Sequence, residues 1–242
     1  MNFDLARASL KLLAELNIET WFENESTSTN RIAKEEASQI TAPCKVYLTN
    51  HQSAGRGRNQ NSWQDLGAGQ CFLSSWSFSF VKNPQPILAP LVGLALYKNL
   101  SQHFLNDKNL QLNFSLKAPN DILIGKDKLC GILIENILAG REGRCVIGIG
   151  LNVFDSPQNL GATHLNLHTK VTEQNWSAFL KTLSRDLSLC LKSAESESLT
   201  EGTCLQLTQA LNKNPHLSEE LLAVSPNGSL IFKDKKIDWQ SL

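Results

Sequence analysis

The chain has 242 residues, 41% of them apolar, a size that suits one domain with at most a small appendage. Basic and acidic residues balance at 23 each, whereas a nucleic-acid binder usually has a basic excess, so we expect no DNA partner. The chain shows neither a signal-peptide pattern nor an apolar run of about 18 residues, and its six cysteines include no Cys-x-x-Cys pair, so we expect a cytoplasmic protein with reduced thiols and no membrane contact.

The N-terminal half is predicted to mix helices and strands. Apolar residues recur at helical spacing over 4–16, and a short strand follows over 18–22. A second helix begins near Ser28 or Thr29, either of which is a good N-cap. The exposed N–H groups of a helix start also attract polar ligand atoms. The patterns that follow predict strands over 45–48 and 71–80 and a helix over 86–104.

The C-terminal half is predicted to contain a sheet, two helices and a small β tail. The tail is predicted to have two or three short strands and is too small to fold alone. Two of them, 221–224 and 230–232, flank the turn sequence Ser-Pro-Asn-Gly-Ser, and a second turn precedes Ile237. We therefore place one domain over 1–213 and a truncated β element over 214–242. Before the tail, the patterns predict strands over 113–117, 122–124, 131–138 and 145–153, and helices over 176–191 and 206–211.

A glycine-rich basic loop follows the strand predicted at 45–48, and residues 52–58 have the sequence Gln-Ser-Ala-Gly-Arg-Gly-Arg. Glycine lets the backbone approach a ligand closely, and arginine supplies a planar fork of donors for phosphate or carboxylate oxygens. Such a loop can close over an acyl-phosphate and exclude water. Taken alone, the segment also fits an exposed basic loop or an Arg-Gly segment that contacts nucleic acid.

Three later segments add polar groups to the predicted sheet. Residues 117–121, Lys-Ala-Pro-Asn-Asp, combine a lysine with a rigid turn and two polar turn residues. Lys128 lies between a hairpin turn and an apolar strand, where it can point into a pocket. Residues 146–152, Val-Ile-Gly-Ile-Gly-Leu-Asn, make a strand whose glycines can admit a flat ligand, although no third glycine follows to complete a dinucleotide fingerprint. Each segment alone also fits an ordinary structural role.

Together, in this order, the segments resemble the biotin–protein ligase family over roughly 20–155. The series is Ser-Thr-Asn, Gln-x-Ala-Gly-Arg-Gly-Arg, Trp, Lys-x-Pro-Asn-Asp, Lys-x-x-Gly-Ile-Leu-x-Glu and Gly-x-Gly-x-Asn. The resemblance implies an α+β, class II aminoacyl-tRNA synthetase-like fold, with a central antiparallel-to-mixed sheet and helices packed on one side. Family members that also repress transcription have an N-terminal winged-helix domain. No winged helix is predicted before this region, so we expect a catalytic domain without it.

The resemblance also implies an activity and a set of site residues. The enzyme would be a biotin–[acetyl-CoA-carboxylase] ligase, which uses ATP and Mg²⁺ to form biotinyl-5'-adenylate and then modifies a lysine of a biotin carboxyl carrier protein. By the same resemblance, the catalytic residues are Arg58, Lys128 and Lys117. The biotin-binding residues are Ser28, Thr29, Asn30, Gln52, Arg56, Gly57, Arg58, Lys128 and Gly131. The nucleotide-binding residues are Arg58, Trp63, Asn120, Lys128 and Asn152, and the metal ligand is Asp121.

Two departures from the family pattern leave alternatives open. The family usually has Trp where this chain has Ala118, and a further Arg-Gly-Arg where it has Asn59-Gln60-Asn61. One alternative is therefore a degenerate, non-catalytic protein that binds biotin or a nucleotide. A second is transfer of lipoate or octanoate on the same superfold, which would need a deeper apolar channel. A third, a nucleic-acid-binding module that uses the arginine loop, is disfavoured by the neutral net charge.

Overall fold

The fold is built on a seven-stranded mixed sheet with strand order β1-β2-β3-β7-β6-β5-β4. The computed structural model describes residues 3–64, 66–67, 69–105, 113–139, 142–158 and 160–241. Strands β1 and β2 are parallel, and all other neighbours in this sheet are antiparallel. The strands are β1 (Glu19–Ser26), β2 (Cys44–Gln52), β3 (Cys71–Phe80), β4 (Phe114–Lys117), β5 (Asp121–Ile124), β6 (Asp127–Ala139) and β7 (Glu142–Asn152). The helices are α1 (Leu5–Glu15), α2 (Thr29–Glu35), α3 (Leu88–Phe104), α4 (Leu165–His168), α5 (Glu173–Ser193) and α6 (Glu201–Asn212).

One face of the sheet carries the main hydrophobic core. Alternate residues of β3 and β7, such as Trp76 and Ile147, point to this face because successive side chains of a strand point to opposite sides. They belong to one buried cluster with side chains of α1, α3, α5 and α6. Trp176 of α5 is fully buried in this cluster, and its indole N–H donates to Ser9 Oγ at 3.0 Å.

The opposite face is covered at one end by α2, so the expectation that the helices pack on one side is incomplete. The fully buried Ala33 of α2 packs on Tyr47 and Val146 of the sheet. The physical reason is the parallel pairing of β1 with β2, since parallel neighbours need a crossover connection rather than a tight turn. The mixed sheet flanked by helices is otherwise the predicted α+β fold.

A small three-stranded sheet lies near the C-terminus and ends in a short turn of helix. Its strands are β8 (Ala223–Val224), β9 (Leu230–Ile231) and β10 (Lys236–Ile237), and a 3₁₀ turn follows over Trp239–Ser241. Buried side chains of this element belong to the main core cluster, among them Leu230 and Trp239. The domain boundary between 213 and 214 stays a prediction, and the two parts share one core.

The lengths of the helices and the state of the cysteines can be compared with what the sequence predicted for the described residues. None of the helices there is long and apolar enough to cross a membrane. All six cysteines are free thiols, and burial raises the pKa of Cys145 to about 12.

Candidate active site

Three glycines form a flat floor on the face of the sheet opposite the main core. Gly131 of β6 pairs with Gly150 of β7, and Gly148 lies two residues before Gly150 on the same face. A Cβ at Gly150 would lie 2.7 Å from the indole of Trp63, and one at Gly148 would overlap Asn30 Oδ1. Only glycine therefore lets these two side chains lie directly on the sheet.

A cavity of about 160 Å³ opens over this floor and brings together most of the predicted site residues. Its wall also includes Ser62 and Leu133, which the sequence analysis did not single out. The predicted residues that line it are Ser28, Thr29, Asn30, Gln52, Arg56, Gly57, Arg58, Trp63, Asn120, Asp121, Lys128 and Gly131.

One end of the cavity is a buried network of uncharged hydrogen-bonding groups. The start of α2 places Thr29 and Asn30 there, and Gln52 Oε1 accepts a hydrogen bond from the Thr29 backbone N–H at 2.8 Å. Ser75 Oγ lies 2.7 Å from Thr29 Oγ1 and also hydrogen-bonds to Asn30 Oδ1. Ser75 was missed by the sequence analysis, although the serine alternation in β3 puts it beside Gly148.

A half-buried ion pair between Lys34 and Glu135 fixes the Nδ2 end of the Asn30 amide. Asn30 Nδ2 donates to Glu135 Oε2 at 3.0 Å, and Lys34 Nζ lies 2.6 Å from Glu135 Oε1. Burial alone would raise the pKa of Glu135, but the hydrogen bonds from Lys34 and Asn30 outweigh it and the pKa is lowered. Glu135 therefore remains ionised at neutral pH and sets which way the amide faces.

This ion pair predicts a pH-dependent loss of stability. Because the folded-state pKa of Glu135 lies below its ordinary value of 4.5, the stabilisation is present above that pH and is lost as pH falls through the folded pKa. We expect Glu135→Gln to be less stable than the parent at pH 7, with a difference that closes in acid. Urea unfolding measured from pH 7 into acid checks this difference in stability. Glu23→Gln is the control, because Glu23 has an exposed side chain. A difference independent of pH would contradict the assignment.

The other end of the cavity holds a cation above an aromatic ring. Lys128 Nζ lies 2.7 Å from Asp121 Oδ1 and 5.6 Å from the centre of the Trp63 ring. A Cβ at Gly131 would lie 3.3 Å from Lys128 Nζ, so the ammonium also stands over the glycine floor. The lysine backbone is fixed as well, since Lys128 N–H donates to Gly161 O and its carbonyl accepts from Thr163.

The glycine-arginine loop forms part of the cavity wall and is folded as a tight hairpin. Arg56 and Ser62 form an isolated antiparallel bridge, and Gly57 N–H donates to Asn61 O at 2.7 Å. Asn59 has φ 52°, in the left-handed region that asparagine tolerates better than most residues. One departure from the family pattern thus supplies a turn residue that closes the hairpin.

The structure does not bring two predicted residues, Lys117 and Asn152, to this cavity. Lys117 is exposed at the end of β4. Asn152 is buried, and its Nδ2 donates to Thr163 O at 3.0 Å while Cys71 Sγ lies 3.4 Å from its Oδ1. A direct contact of either side chain with a nucleotide stays a prediction.

Asp121 is the one predicted metal ligand, and its carboxylate already pairs with Lys128. The part of the chain that the structure describes holds no group of three His, Cys, Asp or Glu side chains that could bind a metal by itself. Proteins commonly bind Mg²⁺ through one or two carboxylates together with substrate phosphates. The Asp121 carboxylate therefore fits Mg²⁺ only together with phosphate oxygens of a bound ligand. The role of Asp121 as a metal ligand stays a prediction.

Comparison with known proteins shows the family. Residues 22–152, more than half of the chain, match the model of the "Biotin/lipoate A/B protein ligase family". The chain belongs to this family. The predicted resemblance to biotin–protein ligases is thereby confirmed.

Individual relatives agree with this assignment. The biotin–protein ligase of Schizosaccharomyces pombe is 29% identical over 54% of this chain and 22% of its own length. The biotin–[acetyl-CoA-carboxylase] ligase of Mycobacterium tuberculosis is 30% identical over 56% of this chain and 48% of its own length. The chain thus spans about half or less of these curated relatives.

A solved structure supports the fold. The biotin protein ligase from Aquifex aeolicus in complex with biotin and ATP superimposes with a TM-score of 0.64 at 21% identity, over 90% of this chain and 94% of that one. The class II aminoacyl-tRNA synthetase-like fold is confirmed.

Proposed function

We propose that this chain activates biotin with ATP to form biotinyl-5'-adenylate and transfers the biotin to a lysine of a biotin carboxyl carrier protein. The observation that carries the proposal is the two-ended cavity on the glycine floor. One end offers neutral donors and acceptors from Thr29, Asn30 and Gln52, which suit a polar, uncharged ring such as the ureido ring of biotin. The other end offers Lys128 to carboxylate and phosphate oxygens, and Arg56 and Arg58 of the cavity wall add two further cations.

In the proposed first step, a carboxylate oxygen of biotin attacks the α-phosphorus of ATP, and pyrophosphate leaves with the electrons of the broken P–O bond. Lys128 stands where it neutralises charge on both reactants, and it exchanges part of its contact with Asp121 for these oxygens. Mg²⁺ would accompany the phosphates, with Asp121 as its protein ligand. Positioning and charge neutralisation supply the rate enhancement, with no covalent enzyme intermediate.

In the proposed second step, the amine of the carrier lysine attacks the carbonyl of the mixed anhydride. A C–N bond forms, AMP leaves, and the amine loses a proton to solvent or base. The hairpin that carries Arg56 and Arg58 forms part of the cavity wall, where it would retain the adenylate and exclude water until the carrier arrives.

Release of pyrophosphate on mixing the protein with Mg-ATP and biotin tests the proposal, with lipoate and octanoate as controls. We expect release that depends on biotin. Release with lipoate or octanoate instead would favour the alternative in which the chain transfers one of these two acids. Tight biotin binding without release would favour a non-catalytic protein, the alternative that Ala118 and the three uncharged residues at 59–61 leave open.

The arginine loop carries a separate prediction. We expect Arg58→Ala to speed the escape of biotinyl-adenylate more than it weakens biotin binding, because Arg58 lines the cavity and its guanidinium suits a phosphate. Losing a charge-assisted hydrogen bond should cost about 1.5–3 kcal/mol, or roughly 10- to 100-fold in adenylate dissociation. A fluorescence dissociation assay measures both constants, and Arg58→Lys should retain part of the effect. Unchanged adenylate retention would contradict the loop assignment.

A further inference from the structure

The C-terminal 3₁₀ turn, Trp239–Ser241, contacts the predicted ATP end of the site across a long separation in sequence. Trp239 is only 2% exposed, and its indole N–H donates to the Pro119 carbonyl at 2.9 Å. Pro119 precedes Asn120 and Asp121, which line the active-site cavity. The indole therefore holds the turn that presents both polar side chains.

The next residue of the tail contacts the arginine loop. Arg58 Nη2 donates to the backbone carbonyl of Gln240 at 3.0 Å. A single turn of backbone thus touches two segments of the site, one through the Trp239 side chain and one through the Gln240 carbonyl. Arg58 and Asn120 line both the active-site cavity and a second cavity of about 390 Å³, whose wall includes Trp239 and Gln240.

The indole also stands beside a turn that has no aromatic residue of its own. Position 118 in this turn is Ala, and its side chain is half-buried against the main core. Trp239 places an indole from the opposite end of the chain against the carbonyl of the very next residue. Trp239 thereby supplies this turn with an aromatic side chain that the turn itself lacks.

We propose that Trp239 is a positioning residue for the nucleotide end of the active site, and that the Gln240 carbonyl holds Arg58 until a ligand phosphate replaces it. The indole N–H orders Pro119 and, through it, Asn120 and Asp121. The carbonyl orders the guanidinium close to where an α-phosphate would lie, and an anionic oxygen is the stronger acceptor of the two. This inference rests on the proposed function.

Trp239→Phe tests the role, because it keeps an aromatic ring and removes the N–H. The matched control is Phe232→Leu, which trims another buried aromatic residue of the same C-terminal element. In biotin-dependent pyrophosphate exchange, we expect Trp239→Phe to raise the KM for ATP by roughly 2- to 10-fold, the equivalent of one ordinary hydrogen bond. The KM for biotin should stay within twofold of the parent value. Phe232→Leu should change thermal stability and neither KM.

Hydrogen exchange of the ligand-free proteins tests positioning without catalysis. Peptides that cover 113–124 should exchange faster in Trp239→Phe than in Phe232→Leu at equal stability. Equal exchange in the two variants, or an unchanged KM for ATP, would show that the indole only fills space and would overturn the inference. If the parent releases no pyrophosphate, the proposed function fails, and the exchange rates still decide whether Trp239 orders the turn.

A measurement on the parent protein covers the case in which Trp239→Phe does not fold. Addition of Mg-ATP and biotin should change hydrogen exchange in peptides that cover 236–241, because Arg58 would leave the Gln240 carbonyl for a phosphate oxygen. An unaltered tail in a protein that releases pyrophosphate would overturn the inference.

Discussion

Lys128→Ala is expected to reduce biotin adenylation about 100- to 1,000-fold, the usual cost of removing one preorganised group that stabilises developing charge. The ammonium stands over the glycine floor between Asp121 and the Trp63 ring. Its removal also leaves the partly buried Asp121 carboxylate without its cation, so phosphate oxygens would meet a bare negative charge. Biotin-dependent pyrophosphate exchange measures the loss, and circular dichroism confirms the fold.

The hairpin that carries Lys128 offers a matched control. Lys126 has an exposed side chain two residues earlier. Lys126→Ala removes the same charge from the same hairpin, so it should leave exchange within twofold of the parent. Equal rates for Lys128→Ala and the parent, with matched circular dichroism, would remove Lys128 from the site.

Gly148→Ala is expected to disrupt the polar end of the site. The new methyl group would overlap Asn30 Oδ1 and lie 2.9 Å from Asn30 Cγ, so the amide must move away from Ser75 and Glu135. Overpacking of this kind typically costs about 1–3 kcal/mol of stability. Because the same amide faces the cavity, we also expect a loss of biotin affinity of roughly tenfold or more. Calorimetric titration with biotin and thermal unfolding measure the two effects.

The control for this substitution is Gly202→Ala. Gly202 lies in α6, and a Cβ there meets nothing within 4 Å. An alanine there should leave the stability of the protein equal to or slightly above that of the parent, without any change in biotin affinity. Unchanged affinity in Gly148→Ala, with its stability retained, would show that Asn30 is free to move and lies outside the binding site.

Local patterns predicted the strands of the sheet, whereas most of the residues that line the cavity were predicted from the family resemblance. The strand predicted at 71–80 has the observed bounds, and those at 113–117 and 122–124 differ by one residue. The glycines at 148 and 150 were expected to admit a flat ligand, and in the structure a flat side chain, Trp63, lies on Gly150. Such features follow from strand alternation and turn chemistry, which act over a few residues.

Contacts between distant segments could not be predicted in this way. The bond from Trp239 to Pro119 spans 120 residues, and the one from Arg58 to Gln240 spans 182. Asn152 lies on the same strand face as Gly148 and Gly150, yet its side-chain amide donates to the Thr163 carbonyl instead of facing the cavity. Which of several polar partners a side chain finds depends on tertiary packing, about which a single sequence says little.

The alternation of side chains in β6 and β7 has a consequence for how the ligand site can change. Cys130, Ile147 and Ile149 of these strands belong to the hydrophobic core, and the glycines at 131, 148 and 150 form the floor of the cavity. A substitution at one of these glycines acts first on the side chains that lie on the floor, such as Asn30 and Trp63. The shape of the ligand site can therefore change at the floor while the residues of the main core stay the same.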